Sequence, residues 1–381
     1  MKNSNLLKLI PVMFTFFIMG YVDSVSISTN YIKNDFNLSD TVAGLLPFMV
    51  FLWFLVLSVP TGMLMNRIGR RKTVILSIAI SLLAMLVPFA GYSFEVMIIS
   101  FSLLGIGNTL LQVSLNPLVT NVVSGNRLAS SLTLGQFVKA IASFLAPIIA
   151  AWGVTKFGDW RMLFLAFSVV AIIPTIWLLL TPIEEKPTER GEVSTFKGCF
   201  GLLGDKMILL LFIGIVMHVG IDVGTNLTTP KILIERLGMT LTDAGFAIVL
   251  YFICRTVGCF SGAIILTKMS LRNFFIISVG VMVLGTAGLL FFQNLMALYV
   301  CIGIMGLGNS NIFSILFSQA MHLKPERNNE VSGLMIMGVA GGGIIPLLMG
   351  IASDAVKSQT GAVAVLALCI CYLMFMMRRI R

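Results

Sequence analysis

Four ionisable side chains lie deep within long apolar stretches of this 381-residue sequence: Asp23, Lys139, Asp222 and Arg255. A charged group in hydrocarbon costs roughly 2.5–3.5 kcal/mol on insertion scales, so each of them needs a functional or structural reason. Two acids and two bases in four different stretches can neutralise one another around a single polar cavity. A cavity of this kind can bind a small polar molecule or an ion.

Each of the two acids shares a helical face with other polar side chains. Asp23 is followed by Ser26 and Asn30 at i+3 and i+7, and Asp222 is preceded by His218 at i−4. We interpret Asp23, Ser26, Asn30 and Asp222 as a set that couples to an ion. The alternative is that each acid only forms a buried pair that holds helices together.

Amide side chains occur at helical spacing in the same apolar stretches. Asn108, Gln112 and Asn116 lie at i, i+4 and i+8, which places them in one stripe along a helix. Each amide offers donors and an acceptor to a hydroxyl group, which suits a polyol, while amides also join helices in lipid. The residues predicted to bind a substrate are Asn108, Gln112, Asn116, Gln136, Lys139, Asn226, Arg255, Asn309 and Asn311.

Lys139 lies midway along its apolar stretch, between Gln136 and Ser143 on one helical face. It is too far from either end of the stretch for its ammonium group to reach an interface easily. Two interpretations stay open: Lys139 neutralises Asp23, or it binds an anionic group of a substrate.

The elements that carry these residues are helices long enough to span a membrane. Hydrophobic residues make up 57% of the sequence, charged residues 11%, and the mean hydropathy is +0.99. A spanning helix needs roughly 20 apolar residues, and continuous runs of that length argue against a β-barrel, which would show short alternating segments. The predicted spans are 8–33, 41–65, 73–90, 94–123, 128–155, 160–181, 207–235, 240–267, 271–290, 296–322, 328–352 and 360–378.

The net charge of +10 follows a topological pattern and does not indicate a nucleic-acid surface. Most Lys and Arg residues fall in alternate loops, on the side that also holds both termini, as the positive-inside rule expects of cytoplasmic segments. The first apolar run is too long for a cleavable signal. We therefore predict a multi-pass protein of the inner (cytoplasmic) membrane, surrounded by lipid and without a nucleic-acid partner.

The sequence contains an internal repeat. The segment 105–109, Gly-Ile-Gly-Asn-Thr, matches 306–310, Gly-Leu-Gly-Asn-Ser, and Pro147 matches Pro346. The offsets are 201 and 199 residues, in the same order. Two repeats of six spans indicate a substrate site at the midplane, between halves that rock against each other. The predicted parts are a bundle over 1–181, a cytoplasmic linker over 182–206 and a bundle over 207–381.

Motifs of catalysis do not occur in the sequence. It has no phosphate-binding Gly-x-x-x-x-Gly-Lys-Ser/Thr loop, no His-Glu-x-x-His and no nucleophile elbow. The six cysteines show no metal-ligand spacing, so we expect neither a metal site nor disulfides. These observations predict a protein that is not an enzyme and has no cofactor, and that uses an ion or substrate gradient in place of ATP.

A basic loop between the second and third spans carries a known pattern. Its residues are Gly62, Asn66, Arg67, Gly69, Arg70 and Arg71. The spacing Gly-x-x-x-[Asp/Asn]-Arg-x-Gly-Arg-[Arg/Lys] resembles the loop that marks the major facilitator superfamily of transporters. The resemblance implies a gating loop that tethers the two halves through charge contacts. Asn66 stands where the superfamily usually has Asp, which implies a weaker tether.

The chain also resembles the fucose:proton symporter family, which includes bacterial glucose/galactose permeases. The matching segments are 306–313, 317–320, 332–338, 341–354, Val219–Val223, Arg255–Gly258 and the pair Asn116-Pro117. The resemblance implies a sugar symporter of the inner membrane with a cavity lined by spans 1, 4, 5, 7, 8, 10 and 11. The family's proton relay does not transfer intact: Gln112 stands where the family has Glu, Lys139 where it has Asn, and its first-span acid aligns with Ser26.

The fold class predicted is all-α integral membrane, with 12 transmembrane helices in two six-helix pseudo-repeats (the major facilitator fold) and both termini cytoplasmic. We expect a monomer that imports a monosaccharide by alternating access, coupled to H⁺ or Na⁺. The alternatives are a symporter of an acidic sugar, such as sialic or uronic acid, whose carboxylate meets Lys139 and Arg255, and a proton-driven drug exporter. A sensor or scaffold is disfavoured because no loop is long enough to form a signalling domain.

Overall fold

The computed structural model describes residues 3–38, 42, 45–123, 127–183, 185, 195–239 and 241–380, without the side chains of 3–7, 26, 30, 33, 34, 147, 241 and 242. Regular structure in these ranges is helical. The α-helices are α1 (Asn3–Met19), α2 (Ser24–Asp35), α3 (Leu45–Ile68), α4 (Arg70–Ala90), α5 (Phe94–Val122), α6 (Arg127–Phe157), α7 (Met162–Leu180), α8 (Phe196–Gly201), α9 (Lys206–Leu237), α10 (Leu241–Ala244), α11 (Phe246–Ile265), α12 (Leu271–Phe291), α13 (Leu295–Asn309), α14 (Ile312–Leu323), α15 (Asn328–Met337), α16 (Gly341–Val356) and α17 (Thr360–Met376).

Most of these helices are long and apolar enough to cross a membrane. Eleven helical segments in the described ranges meet that condition, from Lys8–Thr29 to Pro325–Val356, and α17 adds a shorter apolar helix of 17 residues. The hydrocarbon core of a bilayer is about 30 Å thick, which about 20 helical residues span. The chain is therefore a multi-pass membrane protein, while the count of twelve spans and the cytoplasmic termini stay predictions.

Three of the predicted spans are interrupted by short turns. A 3-10 turn at Gly20–Asp23 divides 8–33, a second at Gly338–Ala340 divides 328–352, and 296–322 is divided between α13 and α14. A break of this kind takes backbone groups out of the regular helical ladder, so side chains must satisfy them. The polar residues singled out in the sequence lie at two of the breaks, Asp23 at the first and Asn309 at the last.

The chain forms two compact units. Unit 1 comprises Met1–Leu128, Val138–Leu202 and Lys324–Met337, and unit 2 comprises Ala129–Phe137, Leu203–Leu323 and Gly338–Arg381. The two segments that leave their own half of the sequence, 129–137 and 324–337, overlap when shifted by the 201-residue offset of the repeat. Equivalent parts of the two repeats are thus exchanged. The predicted division into 1–181, 182–206 and 207–381 concerns the sequence and stays a prediction.

The internal repeat has a counterpart in how the helices pack. In unit 1, Gly105 of α5 lies against the backbone of Val50 in α3, where a Cβ on the glycine would be 2.8 Å from the Val50 Cα. In unit 2, Gly306 of α13 lies against the backbone of Tyr251 in α11, where a Cβ would be 2.5 Å from the Tyr251 oxygen. The two glycines and their two partners are both 201 residues apart.

A second pair of glycines makes equivalent contacts. Gly107 of α5 packs on Ser81 in α4, and Gly308 of α13 packs on Met282 in α12, again with an offset of 201 residues between the partners. Small residues let helix backbones approach closely, which is a main source of helix association in lipid. The Gly-x-Gly-Asn motif is therefore a packing motif, and it fixes the position of the amide that follows the second glycine.

One end of unit 1 is closed by an aromatic cluster around Asp35. The Asp35 carboxylate accepts hydrogen bonds from Trp160 Nε1, at 2.9 Å, and from the hydroxyl of Tyr92. Trp160 stacks on Tyr31 with ring centroids 5.5 Å apart, and the guanidinium of Arg161 lies over the Tyr92 ring. Burial and then the bond to Asp35 raise the pKa of Tyr92 well above its usual value. These contacts join the end of α2 to the α4–α5 and α6–α7 connections.

The contact of Gly306 with Tyr251 gives a stability test. Gly306→Ala adds a Cβ against a backbone oxygen that belongs to a packed helix, so we expect the free energy of unfolding to fall by about 1–3 kcal/mol. Chemical denaturation in detergent micelles measures the change. Gly280→Ala in α12 is the matched control, because a Cβ there meets no heavy atom within 4 Å, and alanine favours the helix. Equal unfolding free energies for the two variants would contradict the packing described.

Candidate functional site

The centre of the polar cluster in unit 2 is the carboxylate of Asp222, in α9. Its Oδ2 lies 3.0 Å from a guanidinium nitrogen of Arg255, in α11. Its Oδ1 accepts hydrogen bonds from the Tyr251 hydroxyl at 2.7 Å and from Asn309 Nδ2 at 3.3 Å. Charge-assisted hydrogen bonds are the strong ones, and here α9, α11 and α13 all contribute to one carboxylate. The acid is therefore neutralised and held in one position.

His218 extends this cluster by one helical turn along α9. Its Nδ1 lies 2.8 Å from Asn309 Oδ1, and Asn309 Nδ2 also donates to the Tyr251 hydroxyl at 3.0 Å. The imidazole is 3% exposed. We call His218, Asp222, Tyr251, Arg255 and Asn309 the Asp222 cluster. The sequence pattern places His218 on the face of Asp222, but spacing within one helix cannot show that Asn309 and Tyr251 on two other helices complete the network.

Close helix packing positions the members of the Asp222 cluster. Gly306 brings the backbone of α13 against Tyr251, and Asn309 follows it by one turn. Two residues on, Asn311 donates through Nδ2 to the Gly258 oxygen of α11 at 3.0 Å. Asn311 was predicted to bind substrate; the structure places its amide nitrogen in a helix-to-helix contact and leaves its buried Oδ1 without a hydrogen bond among the described residues.

Unit 1 holds the second acid in a looser arrangement. Asp23 lies in the 3-10 turn between α1 and α2, where its Oδ2 accepts a hydrogen bond from Ser143 Oγ at 2.5 Å. Lys139 Nζ lies 3.7 Å from the same oxygen. The structure thus brings Asp23 and Lys139 together, as the first of the two interpretations of Lys139 expects. Asp23 is the more open of the two acids, with 26% of its side chain exposed against 16% for Asp222.

The amide stripe predicted on α5 is present, and its members bond along the helix. Asn108 Nδ2 donates to the Met19 oxygen at 2.9 Å, at the point where α1 gives way to the 3-10 turn. Gln112 Nε2 donates to Asn108 Oδ1 at 2.7 Å, and Asn116 Nδ2 to the Gln112 oxygen at 2.8 Å. All three are buried. Asn108 thus stabilises the helix break beside Asp23, since it satisfies a backbone oxygen there.

The remaining predicted residues lie in both units. Asn226 donates to the Asp222 oxygen one turn earlier at 2.9 Å, and its buried Oδ1 has no hydrogen bond among the described residues. Gln136 is buried in the segment of α6 that belongs to unit 2. Ser26 and Asn30, predicted to couple to an ion, are part of α2, and their side chains lie outside the described structure.

The basic loop caps the start of α4. Gly69 has φ of 88°, a backbone conformation that favours glycine. The carboxylate of Glu185 accepts hydrogen bonds from the backbone N–H groups of Arg70, at 2.6 Å, and Arg71, at 2.8 Å. The Arg71 guanidinium donates to the Leu178 oxygen at the end of α7. An acid at a helix start and a base at a helix end both complement the helix dipole, so the loop locks α4 to α7.

The same loop contacts the start of α15 within unit 1. A Cβ on Gly62 would be 2.7 Å from the Asn329 oxygen, so α3 and α15 cross at backbone distance. Asn66 Nδ2 donates to Glu330 Oε1 at 3.1 Å, and Arg70 Nε donates to Asn329 Oδ1 at 2.7 Å. Asn66 therefore faces a carboxylate, where an aspartate would meet a like charge. Of the predicted loop residues, Arg67 is exposed.

Sequence comparison identifies the family. The model of the major facilitator superfamily matches residues 9–347, most of the chain. This protein belongs to the major facilitator superfamily. A glucose/galactose transporter of Brucella abortus is 26% identical over 367 residues, covering 90% of this chain and 86% of that protein. A putative glucose/galactose transporter of Helicobacter pylori is 24% identical over 398 residues, covering 98% and 97%.

Solved structures of the superfamily share the fold. FucP in the outward conformation superposes with a TM-score of 0.85 at 16% sequence identity, over 100% of both chains. The proton:xylose symporter XylE, bound to 6-bromo-6-deoxy-D-glucose, gives a TM-score of 0.77 at 12% identity, over 99% of this chain and 96% of that one. At these identities the likeness concerns the fold alone, and the fold expectation of the sequence is confirmed at the level of the superfamily.

The contact between Asn66 and Glu330 predicts an inverted effect of the superfamily's usual residue. Asn66→Asp replaces a hydrogen bond by repulsion between two carboxylates, so we expect the unfolding free energy to fall by about 1–3 kcal/mol. Adding Glu330→Gln should recover most of the loss, because the new amide can donate to the aspartate. A double-mutant cycle of detergent unfolding measures this coupling. Arg67→Gln, at the exposed neighbouring position, is the control; additive effects of the first two changes would refute the contact.

Proposed function

We propose that this protein imports a neutral monosaccharide of the hexose class by alternating access, driven by a cation gradient. Membership in the major facilitator superfamily and the glucose/galactose transporters among its relatives support the proposal. The observation that carries it is the Asp222 cluster: a charged, hydrogen-bonded site among apolar helices, built from the donors and acceptors that recognise hydroxyl groups. Alternating access supplies the reason for a polar site at that depth.

The proposed setting is the inner membrane, with twelve spans and both termini in the cytoplasm. The positive-inside distribution of Lys and Arg supports this orientation. The apolar helix α17, which is 17 residues long, would be the twelfth span. We propose that the monomer is the working unit, because each unit of one chain carries its own acid and base.

Recognition of the sugar is assigned first to the Asp222 cluster. Arg255 offers five N–H groups, of which the pair with Asp222 uses only part, and Asn309 and Tyr251 lie beside it. Asn226 and Asn311 each keep a buried acceptor oxygen without a hydrogen bond among the described residues. Buried polar groups in this state call for a partner, and a hydroxyl is a suitable one.

The charge balance favours a neutral sugar over an acidic one. In the described helices, Lys139 and Arg255 each have a carboxylate beside them, at 3.7 and 3.0 Å. A substrate carboxylate would have to displace Asp23 or Asp222 and leave it uncompensated in a low-dielectric site, which is costly. An exporter of apolar drugs fits less well, because it would gain nothing from the buried amides and charges.

The same balance favours a proton over sodium as the coupling ion. A sodium site needs several oxygen ligands and no neighbouring cation, whereas both acids here face a basic group. A proton can instead neutralise the carboxylate and release the base. Asp23 is the better acceptor of the two, since protonating it gives up one hydrogen bond and one long ion pair, against three close donors at Asp222. We therefore assign coupling to the Asp23–Lys139 pair.

Uptake into proteoliposomes tests the function. Glucose, galactose and fucose are offered under an inward proton gradient and then under an inward sodium gradient, with sialic acid as the acidic sugar. We expect at least one hexose to accumulate under the proton gradient and none under sodium alone. Accumulation of sialic acid alone would transfer the assignment to the acidic-sugar alternative, and accumulation of no sugar under either gradient would refute sugar symport.

The Asp23–Lys139 pair predicts an unequal effect of single and double changes. Asp23→Asn or Lys139→Gln leaves one charge buried alone, so each should lower uptake at least about tenfold through losses of more than 1.4 kcal/mol. The double variant removes both charges and should regain sugar exchange across the membrane, without proton-driven accumulation. Lys156→Gln, at the exposed end of the same helix, is the control. A double variant as inactive as the singles would overturn the pairing.

A further inference from the structure

His218 is the buried ionisable group that the proposed coupling does not use. It lies on α9 one turn from Asp222 and is 3% exposed. A histidine in an apolar helix could be a packing residue, in which case its nitrogens need only a structural partner. Here Nδ1 contacts Asn309, which itself bonds two members of the Asp222 cluster. The imidazole is therefore connected to the carboxylate and to the base through one amide.

The hydrogen-bond pattern fixes which nitrogen of His218 can titrate. Asn309 must direct its amide N–H groups to Asp222 and to the Tyr251 hydroxyl, because an amide oxygen in that place would face the carboxylate oxygen. Its Oδ1 therefore accepts from His218, and Nδ1 carries a hydrogen in either charge state. Uptake of a proton takes place at Nε2, through its lone pair, and adds one positive charge to the cluster.

We propose that His218 is a second proton-binding site, which sets the affinity of the Asp222 cluster for the sugar. The inference rests on the proposed sugar transport and concerns a different residue from the Asp23–Lys139 pair. His218 acts as a positioning residue: it contacts Asn309 and acts on the sugar through Asn309, Asp222 and Arg255. The proton comes from water and returns to water, and no other atom is exchanged.

The direction of the effect follows from the charges. With a neutral imidazole, Asp222 and Arg255 balance each other at 3.0 Å. A proton on His218 places a second cation one helical turn from the single carboxylate, so Arg255 is held less tightly and the cluster carries a net positive charge. Hydroxyl oxygens of a sugar can then bond to the guanidinium and stabilise that charge. Proton and sugar therefore bind with positive linkage, and each raises the affinity for the other.

The groups that share the surroundings of His218 support this assignment. In the described structure the charged and titratable members of the network are Asp222, Tyr251 and Arg255, and α14 presents the ring of Phe313 at a centroid distance of 6.3 Å. The 3-10 turn Gly338–Ala340 has no ionisable side chain. The other ionisable residues of α9 and of the helices packed on it are Lys206, Lys231, Glu235, Arg236, Asp243, Cys254, Cys259, Tyr299, Cys301, His322, Asp354, Cys369, Cys371 and Tyr372.

The register of α17 separates most of its groups from the imidazole. Tyr372 bonds to the Leu210 oxygen, two turns before His218, and Leu366 reaches Gly224, more than one turn after it. Cys369 is the titratable group of α17 at an intermediate level. In the network itself, the imidazole is the group whose ordinary titration falls between about pH 5 and 8. A proton-dependent change of affinity in that range is therefore assigned to His218.

Equilibrium binding of a tritiated hexose to the purified full chain tests the proposal between pH 6 and 8.5. In the wild type, we expect the Kd to fall roughly fivefold or more as the pH decreases. His218→Asn keeps a donor near the place of Nδ1 and cannot take up a proton, so its Kd should stay near the wild-type value at pH 8.5 across the range. His218→Gln is the second variant, and gel filtration verifies that both remain monodisperse.

His322→Asn is the matched control, because the chain has two histidines and His322 is exposed at the end of α14. Its pH profile should equal that of the wild type. A wild-type Kd independent of pH, or the same pH dependence in both His218 variants, would overturn the proposal. Loss of binding at every pH in both variants would reduce His218 to a support of Asn309 and would overturn it too. Wild-type protein that binds no hexose at any pH would refute the sugar assignment itself.

Discussion

Neutralisation of charge inside apolar helices is the constraint on which the rest of this structure depends. The carboxylate of Asp222 is surrounded by hydrocarbon side chains, and removal of one partner from such a pair costs about 3–5 kcal/mol. Its donors come from α11 and α13, which must approach α9 closely. The glycine contacts allow this approach, so the packing of unit 2 and its chemistry are one requirement. Access of a ligand to the site must respect the same charge balance.

The two repeats keep the same packing and differ in their chemistry. Gly105 and Gly306 contact equivalent residues, and so do Gly107 and Gly308. The acid is paired with a base from α6 in unit 1 and from α11 in unit 2, and these helices are not equivalents in the repeat. One carboxylate has a single hydrogen bond and a long ion pair, the other three close donors. A duplicated scaffold has thus produced one loosely held acid and one tightly held acid.

Much of this architecture follows from the sequence because long-range order in a membrane is set by composition and periodicity. The helical spans, the repeat and the acids and bases inside the helices need only apolar run length and side-chain type. Pairing across helices is different, since spacing within one span does not show which neighbour it meets. Lys139 could therefore be assigned to Asp23 or to a substrate, and only the packing of α6 on the turn at Gly20–Asp23 brings the two together.

Other features of the site depend on contacts that no local pattern contains. The cap that Glu185 provides for α4 joins residues 115 positions apart in the chain, through a segment whose sequence reads as a polar linker. The role of Asn311 in the contact with Gly258 depends on how closely α11 and α13 approach, and an isolated asparagine in a helix gives no sign of it. His218 belongs here too, because its partner is an amide on another helix.

The contact between Asn66 and Glu330 has a consequence for how such transporters are compared. The negative charge that the superfamily's loop usually carries on α3 is present at this crossing, on the opposing helix α15. Motif searches score residues by position along one chain segment, and they register a loss of charge where the structure shows a transfer. The quantity to align at this crossing is the summed charge of two facing positions, 66 and 330. A chain that looks degenerate in the loop can therefore retain the electrostatics of the crossing in full.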